Sequence, residues 1–368
     1  MKTYYFFLSF LIIFFTSCSK GDNSISEQMA NGSKVIVCSY DEIKKTNNIP
    51  LSHLVAECKL IHFEDIDDAL FNPWFTTVTD KYIGIRQQDG GVYKLFDSSG
   101  KFLCDVGSVG QGPGEYAGSL YDDLIDDKNQ LVYLVPMYGD KIYIYNTSGK
   151  FVKNIIAPQQ LHKPRLHLSD DGILSVVHMA FDGEKAVAMQ FDKDGNVIKS
   201  LEPLSHLLVD NYNGEIFNTR NTAMFEFAHT SSDTLYHYSK ERNKIEPIIN
   251  LEFSSSEKPF RQYIKVSDYY LINVFENNKI VAANIKDKTS SFVTIKNDFF
   301  GDLNVFVNVV SFRNGWYIKN LEPGQLITEI DDRLKESDCS QQDKDKLIKL
   351  RNSLDENTNN IMFVGKIK

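Results

Sequence analysis

Between Tyr93 and Phe102 the chain reads Tyr-Lys-Leu-Phe, then Asp-Ser-Ser-Gly, then Lys-Phe. Short β-rich runs on either side of a polar break predict two strands joined by a tight turn. In such a turn the leading Asp side chain bonds the backbone two residues on, and Gly fills the slot that needs φ > 0. The pattern recurs at Tyr143–Phe151, with Asn146 and Gly149, and at Ala188–Val197, with Asp192 and Gly195. Weaker copies fall at Leu235–Ile245 and Ile280–Ile295. The turn glycines Gly100, Gly149 and Gly195 lie 49 and 46 residues apart. That spacing is the length of a four-stranded propeller blade.

Each repeat divides into strands A to D. The first gives Trp74–Val78, Tyr82–Arg86, Val92–Phe96 and Lys101–Val106. The second gives Ser119–Ile125, Leu131–Val135, Lys141–Tyr145 and Phe151–Ile155. The third gives Arg165–Leu168, Ile173–His178, Ala186–Phe191 and Val197–Leu201. Looser fourth and fifth repeats span about Ile216–Ile249 and about Tyr263–Ile295. The sixth has A at Phe306–Phe312, B at Trp316–Lys319 and C at Ile361–Ile367, but no D. A spare strand, Cys58–Phe63, precedes the first repeat. Used as the outer strand of blade six, it closes the ring between the two ends of the chain and leaves no open seam. The expected fold is therefore all-β, a six-bladed β-propeller.

The stretch from about 323 to 357 changes period. Pro323 suits a first helical turn, Leu326, Ile327, Ile330 and Leu334 share a face, and Ser340-x-x-Asp343 has the form of a capping box before Leu347, Leu350 and Leu354. As a B-to-C connection, this helical insert is expected on the face that also carries the D-to-A crossovers.

Composition fits such a fold: 42% of the 368 residues are hydrophobic and 12% aromatic, with 25 Phe and 18 Tyr. A net charge of -9 without a basic cluster argues against nucleic acid as a partner. At the N-terminus Lys2 precedes the apolar run Tyr4–Phe15, too short to span a bilayer, and then Phe15-Thr16-Ser17-Cys18. Residues 1–17 read as a signal peptide with a lipobox, Cys18 as the lipidated residue, and 18–34 as a polar tether to a propeller at 35–368. Cys38, Cys58, Cys104 and Cys339 are far apart, and no disulfide pairing among them is selected.

The lipobox at Cys18, Phe96–Phe102, the loop Gly107–Tyr116 (GSVGQGPGEY) and the helices before Asn359–Lys368 together resemble the six-bladed β-propeller lipoproteins of outer-membrane-bearing gut-type bacteria, distant relatives of NHL-repeat propellers. The resemblance implies a lipid anchor in the outer membrane, facing the periplasm or the surface, with the N-terminal lipid as the sole attachment to membrane. It implies no chemistry.

The chemical signals are few. The glycine loop lacks the Gly-Lys-Ser/Thr and the helix of a phosphate cradle, so it reads as a tight crossover between blades. Asp192–Asn196 is a turn, since Pro203 stands where a calcium loop needs Glu. The pairs Asp122-Asp123 and Asp126-Asp127 read as solvated turn residues. No cofactor or metal motif and no GxSxG elbow is present. The expected role is binding of an envelope glycan, peptide or protein over the channel mouth on the face with the glycine loop, the Met137-Tyr138 loop and the insert. A-strand starts and B-strand ends open there, which nominates Arg86, Glu115, Tyr116, Tyr138, Arg165, His178 and His229. The alternative is a lyase or hydrolase acting on glycan or peptide in the channel.

Overall fold

The computed structural model describes residues 24–368 apart from 31, 117, 118, 231 and 257. The expected signal peptide and Cys18 lie outside the described residues. Six antiparallel sheets form six blades of a β-propeller, each running from an inner A strand to an outer D strand. Blade one is Pro73–Val78, Tyr82–Gln87, Tyr93–Asp97 and Phe102–Val106. Blade two is Leu120–Asp126, Leu131–Pro136, Tyr138–Asn146 and Phe151–His162. Blade three is Arg165–Leu168, Leu174–Val177, Ala188–Phe191 and Val197–Leu201. Blade four is Ile216–Phe217, Phe225–His229, Thr234–Ser239 and Lys244–Glu252. Blade five is Arg261–Val266, Tyr269–Val274, Lys279–Asn284 and Thr289–Asn297. Blade six is Phe312–Arg313, Trp316–Leu321, Ile361–Lys366 and, from the start of the chain, Lys59–His62.

The turns that set this frame share one geometry. Asp97 Oδ1 accepts from the Ser99 and Lys101 amides at 2.9 and 3.1 Å. Asn146 Oδ1 accepts from Ser148 and Lys150 at 3.1 and 2.9 Å, and Asp192 Oδ1 from Asp194 and Asn196 at 2.9 and 2.8 Å. The closure is as expected: Ile361, Met362, Phe363 and Val364 pair antiparallel with His62, Ile61, Leu60 and Lys59.

Two expectations on strand limits are corrected. Strand A of blade six is only Phe312–Arg313, because Asn308 interrupts the run from Phe306. Its Oδ1 accepts from the Val310 and Ser311 amides at 2.9 and 2.8 Å, forming a turn where a strand was expected. The polar tether is also shorter than expected. Residues Ile25–Ala30 form β1, paired antiparallel with β2 (Ser33–Ser39), and β2 lies parallel to the outer strand of blade four. The chain then crosses to blade five, where β3 (Thr46–Pro50) runs parallel to Thr289–Asn297. This belt buries Val35, Val37 and Cys38, and it covers two sheet edges whose unpaired amides would otherwise face water.

A one-turn helix, α1 (Leu51–Leu54), buries both of its leucines and leads to the closing strand. The insert forms α2 (Pro323–Lys335) and α3 (Gln341–Arg351). Glu322 and Gln325 make a capping box at α2, and Ser340 caps α3 by accepting from the Asp343 amide at 3.1 Å. Leu326, Ile330, Leu347 and Leu350 bury against Val293 and Ile295 of blade five and Phe363 of blade six. Among the described residues no helix is long and apolar enough to cross a membrane.

Candidate functional site

The inner strands meet around the channel axis, and their axial side chains fill it. Phe75 (blade one), Asp122 and Asp123 (blade two), Arg165 (blade three) and Arg313 (blade six) sit on A strands, Arg220 follows the A strand of blade four, and Arg86 reaches in from strand B of blade one. Asp122 is fully buried and serves three guanidiniums: Arg313 Nη2 at 2.7 Å, Arg220 Nη1 at 3.1 Å and Arg165 Nη1 at 3.5 Å. Asp123 lies 3.9 Å from Arg86 Nε and 3.7 Å from Arg313 Nη2, and accepts the Tyr93 hydroxyl at 2.9 Å. The Phe75 ring centroid is 4.3, 5.4 and 5.9 Å from the guanidinium carbons of Arg86, Arg313 and Arg165. Burial would raise the Asp122 carboxyl, but the surrounding arginines hold it far below the usual carboxylate range. Burial lowers Arg86 to about 9 and Arg220 to about 10.

Asp122 and Asp123, expected as solvated turn residues, thus form the acidic centre of the channel. Their strand, Leu120–Asp126, carries them inside rather than at its end. Asp126 does lie at a turn and accepts the Lys128 and Asn129 amides at 3.0 and 3.1 Å. Arg86 and Arg165, nominated from the sequence, belong to this plug. Arg86 Nη1 donates to Leu120 O at 3.3 Å, while Arg165 Nε and Nη1 donate to Ile216 O and Tyr121 O at 2.7 and 2.9 Å.

Glu115 and Tyr116 do not face the channel mouth. The Glu115 carboxylate accepts from the Gly112 amide at 2.8 Å and the Ser108 hydroxyl at 3.2 Å, tying the glycine loop to itself. Tyr116 is fully buried; its hydroxyl donates to Val106 O at 3.0 Å and accepts the Tyr93 amide at 2.9 Å. The loop is the blade-one-to-two crossover expected of it.

The remaining nominees gather over blades two to four on the crossover face. Tyr138 is 59% exposed, and its ring centroid lies 5.1 Å from that of His162. His162 Nε2 is 3.0 Å from the Glu184 carboxylate, with His178 Nδ1 3.7 Å away on the other oxygen. Phe181 and Tyr212 stack at 6.1 Å beside His162. Neutral His178 donates Nδ1–H to Met179 O at 2.8 Å and accepts the Gln159 amide on Nε2 at 2.9 Å, with Ala186 O also 2.9 Å from Nε2; burial holds it neutral, down to about 4, although both carbonyls favour the charged form. His229 is buried in the same way and also lowered to about 4. Burial lifts Glu184 to about 7. Lys163, next to His162 in the chain, bonds Glu215 at 2.5 Å and the carbonyls of Tyr212 and Gly214, and Tyr121 donates its hydroxyl to the same Glu215 carboxylate. The insert stands away from this group, over blades five and six.

A recess of about 980 Å³ opens on the opposite face, among the A-to-B turns of blades two, three and four. Asp126, Asp171 and Lys240 stand at its rim, His167 and Met224 in its walls and Arg220 at its base. His167 stacks on Phe225 with ring centroids 5.2 Å apart, and burial together with Arg220 pushes its pKa down to about 4. Lys240 is held by Asp171 at 2.6 Å. Arg220, at φ +53°, is 4% exposed in its side chain; beyond Asp122 its Nη1 reaches Leu166 O at 3.4 Å, while Nε and Nη2 have no hydrogen-bond partner among the described residues. Sequence reasoning missed this face because a turn residue at positive φ carries no signal of where its side chain goes. Among the described residues no three His, Cys, Asp or Glu side chains converge as a metal site.

Residues 33–366 match the family described as "Domain of unknown function (DUF4934)". No curated protein matches the chain. An exported protein of Bacteroides fragilis has a similar structure, with TM-score 0.62 at 15% identity over 90% of this chain and 99% of that one. Virginiamycin B lyase of Staphylococcus aureus aligns with TM-score 0.44 at 14% identity, over 64% of this chain and 74% of that one. A member of the DUF4221 family from Bacteroides vulgatus aligns with TM-score 0.37 at 11% identity, over 72% and 82%.

Proposed function

The chain belongs to the DUF4934 family, and from that premise we propose that it is a ligand-binding β-propeller of the cell envelope, with its ligand seated in the recess over Arg220. The observation that carries this reading is the pairing of an open recess with a plugged channel. The recess offers concave surface with both apolar and polar walls. The channel behind it is closed by Phe75 and the Arg–Asp cluster, so nothing passes through. The ligand is an envelope glycan, peptide or protein segment. The binding face is thus the one opposite to that expected from the crossovers. Lipid attachment at Cys18 in the outer membrane is part of the same reading and rests on the sequence at 1–18. Metabolic incorporation of a fatty-acid analogue, lost on Cys18→Ala, checks the anchor. For the recess, Ala223→Trp fills an exposed wall position without touching the plug, and it is expected to abolish binding of envelope-derived oligosaccharides or peptides to the purified protein. Binding that survives Ala223→Trp sinks the assignment.

One observation favours a lyase or hydrolase instead: Glu184, lifted to about 7 between His162 and His178, has the proton affinity of a general acid or base at neutral pH. Turnover of a glycan or peptide that disappears in Glu184→Gln, with the fold intact, supports that reading.

A further inference from the structure

The crossover face carries chemistry that the recess lacks. Exposed aromatic rings concentrate on it: Trp74, Tyr138, Tyr212, Phe260, Phe275 and Phe306 stand at A-strand starts, at B-strand ends or in the connections between them. No Phe, Tyr or Trp lining the recess is exposed, since Phe225 and Tyr238 are buried there. Over blades two to four the rings meet polar atoms, with His162 at the centre. The ring centroids of Tyr138, Phe181 and Tyr212 lie 5.1, 5.0 and 5.8 Å from its own, and Glu184 Oε1 lies 3.0 Å from its Nε2. Phe181 stacks on Tyr212, and the Tyr212 hydroxyl donates to Met137 O at 3.0 Å, which fixes that wall. Tyr138 has most of its surface in water.

The polar pair is open as well. The side chains of His162 and Glu184 are 18% and 17% exposed. Their atoms closed to solvent without a partner are Nδ1 and Oε2, not the facing Nε2 and Oε1. Burial pushes the Glu184 carboxyl up and the His162 imidazole down, so around neutral pH the pair gains and loses a proton. A ligand group that only donates or only accepts fits one of those states. A hydroxyl fits both, because it donates and accepts. Lys163 is buried and bonded to Glu215, so it is not free to receive an acidic ligand. A pyranose presents both halves of the pattern: a face of C–H groups that packs on an aromatic ring, and hydroxyls on adjacent carbons that reach two neighbouring polar atoms.

We propose that the crossover face holds a neutral sugar residue of a glycan, its ring stacked on Tyr138 and two adjacent hydroxyls bonded to Glu184 and His162. The site is separate from the recess and does not rest on it.

Calorimetric titration of the purified protein with maltotetraose, mannotetraose, chitotetraose, tetragalacturonate and trilysine tests it. At least one neutral tetrasaccharide is expected to bind at millimolar concentration, with tetragalacturonate and trilysine weaker by on the order of tenfold or more. Tyr138→Ala, at an exposed position, and Glu184→Ala are each expected to weaken the neutral sugar by on the order of tenfold. Should Glu184→Ala fail to fold, Tyr138→Ala decides. Ala223→Trp is expected to leave this binding unchanged, and the recess is then judged in a Tyr138→Ala background, where the crossover site is silent. Neutral sugar bound equally by Tyr138→Ala, either charged probe preferred to every neutral sugar, or no neutral sugar bound at millimolar concentration overturns the proposal. Sugar binding lost in Ala223→Trp and kept in Tyr138→Ala removes this site and keeps the recess. Binding lost in Tyr138→Ala and kept in Ala223→Trp supports this site, whatever the recess holds.

Discussion

Asp122 is the residue on which the channel depends most. Replacing it with Asn removes one negative charge from beneath Arg165, Arg220 and Arg313 and leaves three guanidiniums crowded together out of water. Breaking a buried charge pair from one side costs about 3–5 kcal/mol, so Asp122→Asn is expected to lose that much in urea unfolding. A loss under about 1 kcal/mol would mean the arginines are balanced from elsewhere. The buried histidines give a second residue-scale prediction. His167, His178 and His229 stay neutral in the folded protein down to about pH 4, whereas the unfolded chain protonates them below about 6.5. Stability therefore falls as pH drops from 6.5 through 4, by about 3 kcal/mol at pH 4 for His178 alone. Glu184 acts in the opposite direction: its folded pKa of about 7 lies above the ordinary glutamate value of about 4.5, and its contribution is lost as pH rises between them. Thermal melts of His178→Gln are therefore expected to show a shallower slope over that range. Little of this was legible beforehand. The sequence marks Asp122 and Asp123 only as an acidic pair, because whether a strand residue looks at water or at the axis depends on where the ring puts the strand.

At the scale of elements the hairpin turns were the most readable feature, since their chemistry is local. Asp97, Asn146 and Asp192 each bind their own backbone, and the glycines that follow hold φ values between +77° and +95°. Gly149 is the tightest: at φ +77°, a Cβ would sit 2.2 Å from Asp105 O. Gly149→Ala combines left-handed strain of about 1 kcal/mol with that clash. It is expected to destabilise by about 2 kcal/mol or more in denaturant unfolding, and a neutral result would show that the turn can change type. The belt of β1, β2 and β3 was not read from the sequence. Its strands are short and partly polar, β2 and β3 pair in parallel with strands more than 200 residues away, and local alternation says nothing about such partners. The same reason explains the sixth A strand, where valines at 305, 307 and 309 alternate correctly but Asn308 takes the backbone into a turn.

For the whole molecule, closure was legible because it is a counting problem: one strand short at one end and one spare at the other. A chain starting at residue 51 keeps that strand and is expected to unfold cooperatively, at a lower temperature without its belt. A chain starting at residue 65 leaves the edge of Ile361–Lys366 unpaired and is expected to lose its cooperative transition in calorimetry. The site was less legible than the fold, because the choice between two faces turns on side-chain directions at the axis. Tyr138, His178 and His229 lie on the crossover face, whereas the open recess lies on the other. The belt bears on how such a disc would sit on a bilayer. Ser24 packs at the circumference against Ser39 and Ser290, in the seam of blades four and five. Five residues lie between it and Cys18, so the two are at most about 20 Å apart when the chain is fully extended. A lipid at Cys18 would hold the disc by its edge, like a coin stood upright, and both flat sides would stay open to the surrounding solution.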